Sequence, residues 1–306
     1  MLNLNRLRIL IEVAAHGSFS AAAEALSYTQ SAVSQQIAAL ESETGVTLIE
    51  RLPRGVRLTP AGAVLLEYAE GILARLHAAE AEMAAIAGLR GGQLRMASFP
   101  TAGATLMPLA IAIFRGQHPE VALTLAEGEP EEIGPRLSAG EFDLALLFEF
   151  EGKSESLGRD LERIALFEDP MFLALPADHP LAARPALRLE DLRAEAWIQT
   201  SASSPCARHV VRSCHAAGFD PVVSFESDDY QTVQGLVSAG VGVALIPKLA
   251  LAGAREDIAI RALAPSNPVR TVVAATPQGT RLTAAAAAMR KILADVAERY
   301  VGPELV

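Results

Sequence analysis

Leu7, Leu10, Ile11 and Ala14 recur at helical spacing, which predicts a first helix over residues 3–15, ended by His16-Gly17. Ser20 is placed to cap a short second helix over 21–26, and Ser27-Tyr28 makes the following turn. Thr29 can cap a third helix that runs to about Thr44, where Gly45 supplies the stop. On it Val33, Ile37 and Leu40 stand at i, i+4 and i+7 and face inward, leaving Ser31, Ser34, Gln35 and Ala38 on the other side. A tight turn before the last of three helices describes a helix-turn-helix. The next run, GVTLIERLPRGVRLT, reads as strands 48–52 and 56–59 joined by Pro53-Arg54-Gly55, a hairpin wing carrying Arg51, Arg54 and Arg57.

Thr59 and Pro60 then open a long helix to about Ile86. Its Leu65, Ala69, Ile72, Leu76, Ala79, Met83 and Ile86 alternate by 4 and 3, a heptad seam. A helix lying on its own domain's core also carries an apolar stripe. This seam is narrow and is followed by GLRGG at 88–92, which favours a partner helix instead. From Gln93 the pattern changes. QLRMAS, VALTLAE, DLALLFE, RIALFEDPMFLAL, AWIQT, VVSFES, VGVALIP, IAIRAL and RTVVAA read as strands, with helices near 102–115, 131–139, 206–217, 229–239 and 280–299. This alternation implies α/β architecture with largely parallel sheets, and roughly 214 residues suit two lobes around a cleft.

Composition changes the picture in two places. A net charge of −10 argues against wholesale coating of nucleic acid, but charge is local: residues 1–60 hold five Arg and five Glu, while 91–306 hold 19 basic and 27 acidic side chains. No apolar run is long enough for a membrane span, and the first 20 residues, interrupted by Glu12, read as a helix rather than an export signal. The expectation is a cytoplasmic protein with no membrane partner, and two cysteines agree with a reducing compartment.

The run SFSAAAEALSYTQSAVSQQIAALESETGVTLIERLPRGVRLTPAG resembles the N-terminal signature of LysR-type transcriptional regulators. The likeness extends to the end of the chain. MASFPTAGATLMPLAIAIFRGQHPEVALTLAEG, LSAGEFDLALLFE and LVSAGVGVALIPK are similar to the family's effector domain, itself similar to type 2 periplasmic binding proteins. The resemblance implies a winged helix-turn-helix over 1–59, a dimerisation helix and hinge over 60–92, and an effector-binding domain over 93–306. Its lobe I would be 93–165 with 269–306, and lobe II 166–268. It implies a homodimer through the 60–87 helix, commonly assembled to a homotetramer, on a partly palindromic operator in double-stranded DNA.

A third helix without Lys or Arg can still read bases, because Gln pairs bidentately with adenine and Ser serves either base. Carried over from the family, the base contacts would be Gln30, Ser31, Ser34 and Gln35, with Arg54 reaching a minor groove. Arg51, Arg54 and Arg57 would supply the attraction to phosphate. Ser31 stands where the family usually has Pro, and Gln35 where Arg is common. Taken alone, this face is equally an ordinary solvated helix surface.

The family's register also sketches an effector site. Ser98 and Thr101 open one helix, Pro130 and Phe148 follow strands of the same lobe, and Thr200, Ser201 and Ser203 face them, with Asp228 and Gln231 further candidates. Each hydroxyl has simple N-capping as its plainer role. Few cations stand near these loops and Phe148 replaces a charged contact of some members, so a small organic acid or aromatic fits better than a polyanion.

Cys206 and Cys214 share one predicted helix with His209 and His215 nearby. Packing is the plain reading, and a metal site through Cys206 and His209 lacks enough convergent ligands. Peroxide-sensing members of the family carry a reactive cysteine matching Cys206, a partner close to Cys214 and a residue matching Thr101. Their cysteines are one residue further apart, and they have His where this chain has Ser224. No nucleophile elbow, phosphate loop or paired-His motif argues for an enzyme, and no cofactor is required. A solute-binding protein would account for 93–306 but not for the winged module.

Overall fold

The computed structural model describes residues 2–52, 55–86, 92–150, 160–184, 186–279 and 282–300. The chain divides into two compact units, one of Met1–Gly88 with Ala139–Glu141 and one of Leu89–Ser138 with Phe142–Val306.

The first unit packs α1 (Leu4–His16), α2 (Phe19–Ala25) and α3 (Gln30–Thr44) around Leu7, Leu10, Val13, Ala22, Val33, Ile37 and Leu40, all buried. Ser18 caps α2, its hydroxyl accepting from the Ala21 N–H at 3.5 Å, so the cap lies two residues before the Ser20 that the sequence suggests. Capping ahead of Phe19 lets that ring enter the core. Thr29 caps α3 through the Ala32 N–H at 3.2 Å, and Gly45 closes it in the left-handed region at φ 73°, where a side chain would be strained. Strands β1 (Ile49–Arg51) and β2 (Val56–Leu58) pair antiparallel as the wing. The following helix, α4 (Pro60–Ile86), starts where Thr59 accepts from the Gly62 N–H at 3.0 Å. A Cβ on Gly62 would lie 2.1 Å from the Leu48 carbonyl oxygen, so only glycine lets α4 pass so close to the wing.

The second unit runs β3 (Gly92–Ser98), α5 (Pro100–Gln117), β4 (Val121–Glu127), α6 (Pro130–Ser138), β5 (Leu144–Phe150) and β6 (Leu161–Pro176). It continues with β7 (Ala186–Arg188), β8 (Ala196–Gln199), α7 (Pro205–Ala216), β9 (Val222–Glu226), α8 (Tyr230–Ser238) and β10 (Ala244–Pro247), then β11 (Ile258–Ala264), β12 (Val269–Pro277) and α9 (Ala284–Tyr300). The main sheet has the order β4-β3-β5-β12-β6-β11-β7, with β10 also on β6.

The sheet is mixed rather than largely parallel. β3 runs parallel to β4 and β5, but β12 is antiparallel to both β5 and β6, and β10 and β11 are antiparallel to β6. Alternation along a sequence counts strands and helices without giving direction. Here β12 follows β11 through the short link Pro265–Pro268, with no crossover helix between them. The sixteen-residue β6 runs against β12 along its first part and against β10 and β11 along its second.

The largest core joins Phe99, Phe114, Phe148, Trp197, Cys206 and Cys214 to apolar positions of the sheet and α9. Each such aromatic or aliphatic side chain contributes about 1.5–3 kcal/mol by leaving water. No described helix is long and apolar enough to cross a membrane.

Candidate functional site

Two places collect the residues that the sequence singles out. The first is the outward face of α3. Gln30, Ser31 and Gln35 are exposed there, and Ser34 is half-buried. The acidic end of α3 is occupied elsewhere: Glu41 accepts from the Leu48 and Ile49 N–H groups at 2.8 and 3.2 Å, and Glu43 pairs with Arg6 of α1. Arg6 also donates to Gln36 at 3.0 Å. Carboxylates are thereby kept from the first turns of α3, whose exposed side chains are short and uncharged.

The wing arginines behave differently from one another. Arg51 donates to the Ser34 hydroxyl at 2.9 Å, and its guanidinium lies 5.4 Å from the centroid of the Phe19 ring. Arg57 is 69% exposed and reaches across the hairpin to Glu50 at 2.8 Å, a contact that water and salt weaken. Arg54 lies outside the described residues.

The second place is a cleft of about 580 Å³ in the larger unit, lined by the start of α5 (Pro100, Thr101, Ala104, Thr105), Glu127, the start of α8 (Asp228 to Gln231) and the turn Leu249–Gly253. Of the nine effector candidates, Thr101, Asp228 and Gln231 line this cleft. The other six do not, for identifiable reasons. Ser98 is buried and donates to the Phe99 carbonyl at 3.1 Å, and Pro130 is buried at the start of α6. Thr200 is buried against the Ser204 hydroxyl, while the Ser201 N–H donates to Asp228 at 2.8 Å. Ser203 is exposed, and its carbonyl accepts from Arg208. Phe148 is buried in the core.

Behind the cleft lies a charged centre that the sequence reading missed. Arg270 of β12 and Asp169 of β6 are cross-strand partners, each 1% exposed, joined at 2.8 and 2.9 Å. Arg270 also donates to Thr101 at 2.8 Å and stands 4.9 and 4.4 Å from the ring centroids of Phe99 and Phe148. The other Asp169 oxygen accepts from the Leu249 N–H at 3.0 Å. Burial opposes the arginine's charge most strongly, but Asp169, together with Cys206 and Tyr230, outweighs it and holds Arg270 protonated beyond its ordinary range. The available signal was a lone Arg inside the apolar strand RTVVAA, since a buried charge requires a partner.

Cys206 sits against this centre, 4% exposed, with its Sγ 3.7 Å from Arg270 Nη1 and hydrogen-bonded to the Tyr230 side chain. Burial pushes its thiol up despite the pull of Arg270, and burial pushes Cys214 up to about 12. Glu129 rises to about 7 through burial, with Asp228, Glu131 and Glu132 adding to the rise against the opposing pull of Arg270. The His209 ring stacks on Phe150 at 4.0 Å. Among the described residues no group of His, Cys, Asp and Glu is arranged to hold a metal ion.

Comparison with known proteins bears on both places. The family model described as bacterial regulatory helix-turn-helix protein, lysR family, matches residues 4–63, and the LysR substrate binding domain model matches 87–298. The DNA-binding transcriptional dual regulator OxyR of Escherichia coli K12 is 31% identical over 259 residues, covering 83% of this chain and 82% of its own. The transcriptional dual regulator GltC of Bacillus subtilis 168 is 32% identical over 248 residues, covering 81% of each. A solved structure of a Corynebacterium glutamicum OxyR mutant superposes with a TM-score of 0.61 at 26% identity, covering 98% of this chain and 92% of its own.

Proposed function

The chain belongs to the LysR family of bacterial regulatory proteins, and from that premise we propose that it acts as a cytoplasmic homodimer whose hold on an operator answers to a small effector. It is a DNA-binding transcriptional regulator with an N-terminal helix-turn-helix and an α/β effector domain. In this reading residues 1–59 read DNA, 60–92 dimerise and hinge, and 93–306 bind the effector between lobe I (93–165 with 269–306) and lobe II (166–268). A homotetramer would be two such dimers. Catalysis is no part of it.

The observation that carries the reading is the capped α3, which turns Gln30, Ser31 and Gln35 outward beside a hairpin bearing an exposed Arg57. Gln30, Ser31, Ser34 and Gln35 would read base edges in a partly palindromic duplex, with Arg54 and Arg57 on phosphate or in the minor groove. Of the heptad seam, Leu65 and Ala69 pack on the first unit's own core instead, but Ile72 and Met83 are exposed in the single chain, with Val64 and Tyr68 beside them, a row that a second α4 would cover. The effector would enter the 580 Å³ cleft. Glu127, Asp228 and Asp229 line it and Arg270 is already paired, so a polyanion would meet repulsion, whereas a small monoacid or aromatic would meet less.

A native mass spectrum of gently purified protein tests dimer and effector together. A dimer or tetramer carrying a non-covalent extra mass is expected; bare monomers would overturn both. Ile72→Glu with Leu76→Glu should then give monomers in sedimentation and abolish tight DNA binding.

A thiol switch is the second reading, favoured by Arg270, which donates to both Cys206 and Thr101, and by relatives named hydrogen peroxide-inducible genes activators. Oxidation would join Cys206 to Cys214, each thiol giving up its hydrogen as peroxide leaves as water. Eight residues of α7 separate the two by about 12 Å of helix rise, so the bond requires α7 to unwind. Both raised thiols slow the first attack. A loss of ~2 Da after peroxide, with altered operator binding, would promote this reading; unchanged mass and binding would end it.

A further inference from the structure

Arg51 stands at the DNA-reading face, yet its contacts are not those of a phosphate ligand. Its guanidinium is held from two sides, by the Phe19 ring at 5.4 Å and by the Ser34 hydroxyl at 2.9 Å. Arg51 is exposed, but both contacts reach it from α2 and α3 before any DNA arrives. Ser34 is constrained in return. A serine hydroxyl has one proton to give and lone pairs to accept with, and Arg51 takes a lone pair.

The proton of Ser34 is the telling part. Serines and threonines inside helices commonly return it to the carbonyl four residues back. Thr105, Ser213 and Thr44 do so in this protein, at 2.6, 2.9 and 3.1 Å. Ser34 makes no such bond, and no acceptor among the described residues takes its proton. The adjacent positive charge turns the hydroxyl oxygen toward itself and the hydrogen away, and it polarises the O–H into a stronger donor. A second donor approaching that oxygen would meet the same charge.

We propose that Arg51 is a positioning residue that makes Ser34 a donor-only reader, so that the base under Ser34 must present a major-groove acceptor and cannot be cytosine. Guanine offers O6 and N7, thymine O4 and adenine N7, whereas cytosine offers only its N4 amine. This rests on the reading that α3 lies in the major groove, and it sets Arg51, bonded to a reading residue of α3, apart from the equally exposed Arg57, which is free to exchange Glu50 for phosphate.

The test starts from a random duplex library selected with the full-length protein, followed by binding to the winning duplex and its single-base variants at several salt concentrations. The base under Ser34 is the one whose preference Ser34→Ala erases. Wild type should lose about fivefold when that base becomes cytosine, the size of one hydrogen bond. Arg51→Ala should reduce this penalty to less than about twofold, leave preferences elsewhere intact and leave the salt dependence unchanged. The double variant should match Ser34→Ala alone in base preference, a cycle that holds even where Arg51→Ala lowers the melting temperature.

A uniform loss over all duplexes with a salt slope lower by about one would make Arg51 a phosphate contact and overturn the proposal. If Ser34→Ala erases no preference while Gln35→Ala does, the α3 reading survives and the Arg51–Ser34 assignment falls. If wild type enriches no sequence, the premise about α3 falls and takes the proposal with it.

Discussion

The outward face of α3 and the Arg270 centre are both polar, and they use polarity in opposite ways. On α3, Gln30 and Gln35 stand in water and Ser31, though bonded to the Thr29 hydroxyl at 3.1 Å, is exposed beside them, so their donors and acceptors are available at little desolvation cost. Around Arg270 the guanidinium, Asp169, Thr101 and two phenyl rings satisfy one another out of water. The first arrangement contributes almost nothing to stability and leaves its energy for a partner. The second commits its energy to the fold, and its failure would be felt there. A polar group's role thus follows from whether its partner is inside the chain or still to come.

The sharpest way to break this comparison is to orphan the buried charge. Asp169→Ala leaves Arg270 charged and unpaired, and should cost about 3–5 kcal/mol in urea unfolding of the larger unit. Replacing both members by apolar side chains of similar volume should cost far less. An equal loss in the two variants would mean that packing, rather than charge, holds the centre.

Next in size is Glu129. Its folded pKa of about 7 lies above the ordinary carboxylate value of 4.5, so the folded state binds the proton more tightly. Its contribution to stability is fully present below the unfolded value and is lost as pH rises from there through 7. The loss is at most about 3 kcal/mol. Glu129→Gln should flatten that slope in denaturant titrations at pH 5 and pH 8, with no steepening in either direction.

On the exposed side the effects shrink. Thr29→Ala removes the α3 cap and should cost about 1 kcal/mol, read as a lower melting temperature of the first unit. Arg57→Gln should change stability by no more than about 0.5 kcal/mol, since its pair with Glu50 is solvated. It should nonetheless lower the salt slope of DNA binding by about one. A large stability loss at Arg57 would erase the distinction between the two regions.

Local chemistry was legible from the sequence wherever it acts over a few residues. Thr29, Gly45, Thr59 and Pro60 mark helix ends where the structure has them, and Val33, Ile37 and Leu40 are buried as their spacing implies. Ser18 was passed over for Ser20 because either serine has the right chemistry, and only the burial of Phe19 decides between them. Strand direction was not legible, nor were β7 and the short 3-10 turns, whose sequences carry no clear periodicity.

The cleft was legible at Thr101, Asp228 and Gln231, a third of the candidates. Hydroxyls at helix starts are also caps and core links, and Ser98 and Thr200 turned out to be used that way. The Arg270–Asp169 pair joins positions 101 residues apart, and no local pattern names such a partner. Composition counted those charges without showing that two of them are spent on each other.

One feature of the sheet bears on how a signal could travel. β6 is a single strand of sixteen residues, bonded to β12 before Met171 and to β10 and β11 from Met171 onward, with Asp169 beside the changeover. Two halves share this unbroken strand, and the link Pro265–Pro268 between β11 and β12 joins them a second time. The changeover falls at Pro170, where the backbone has no N–H to give to a ladder. Asp169, one residue earlier, ties β6 both to Arg270 of β12 and to the Leu249 N–H beside the cleft, so a single carboxylate spans the seam between the two halves of the strand.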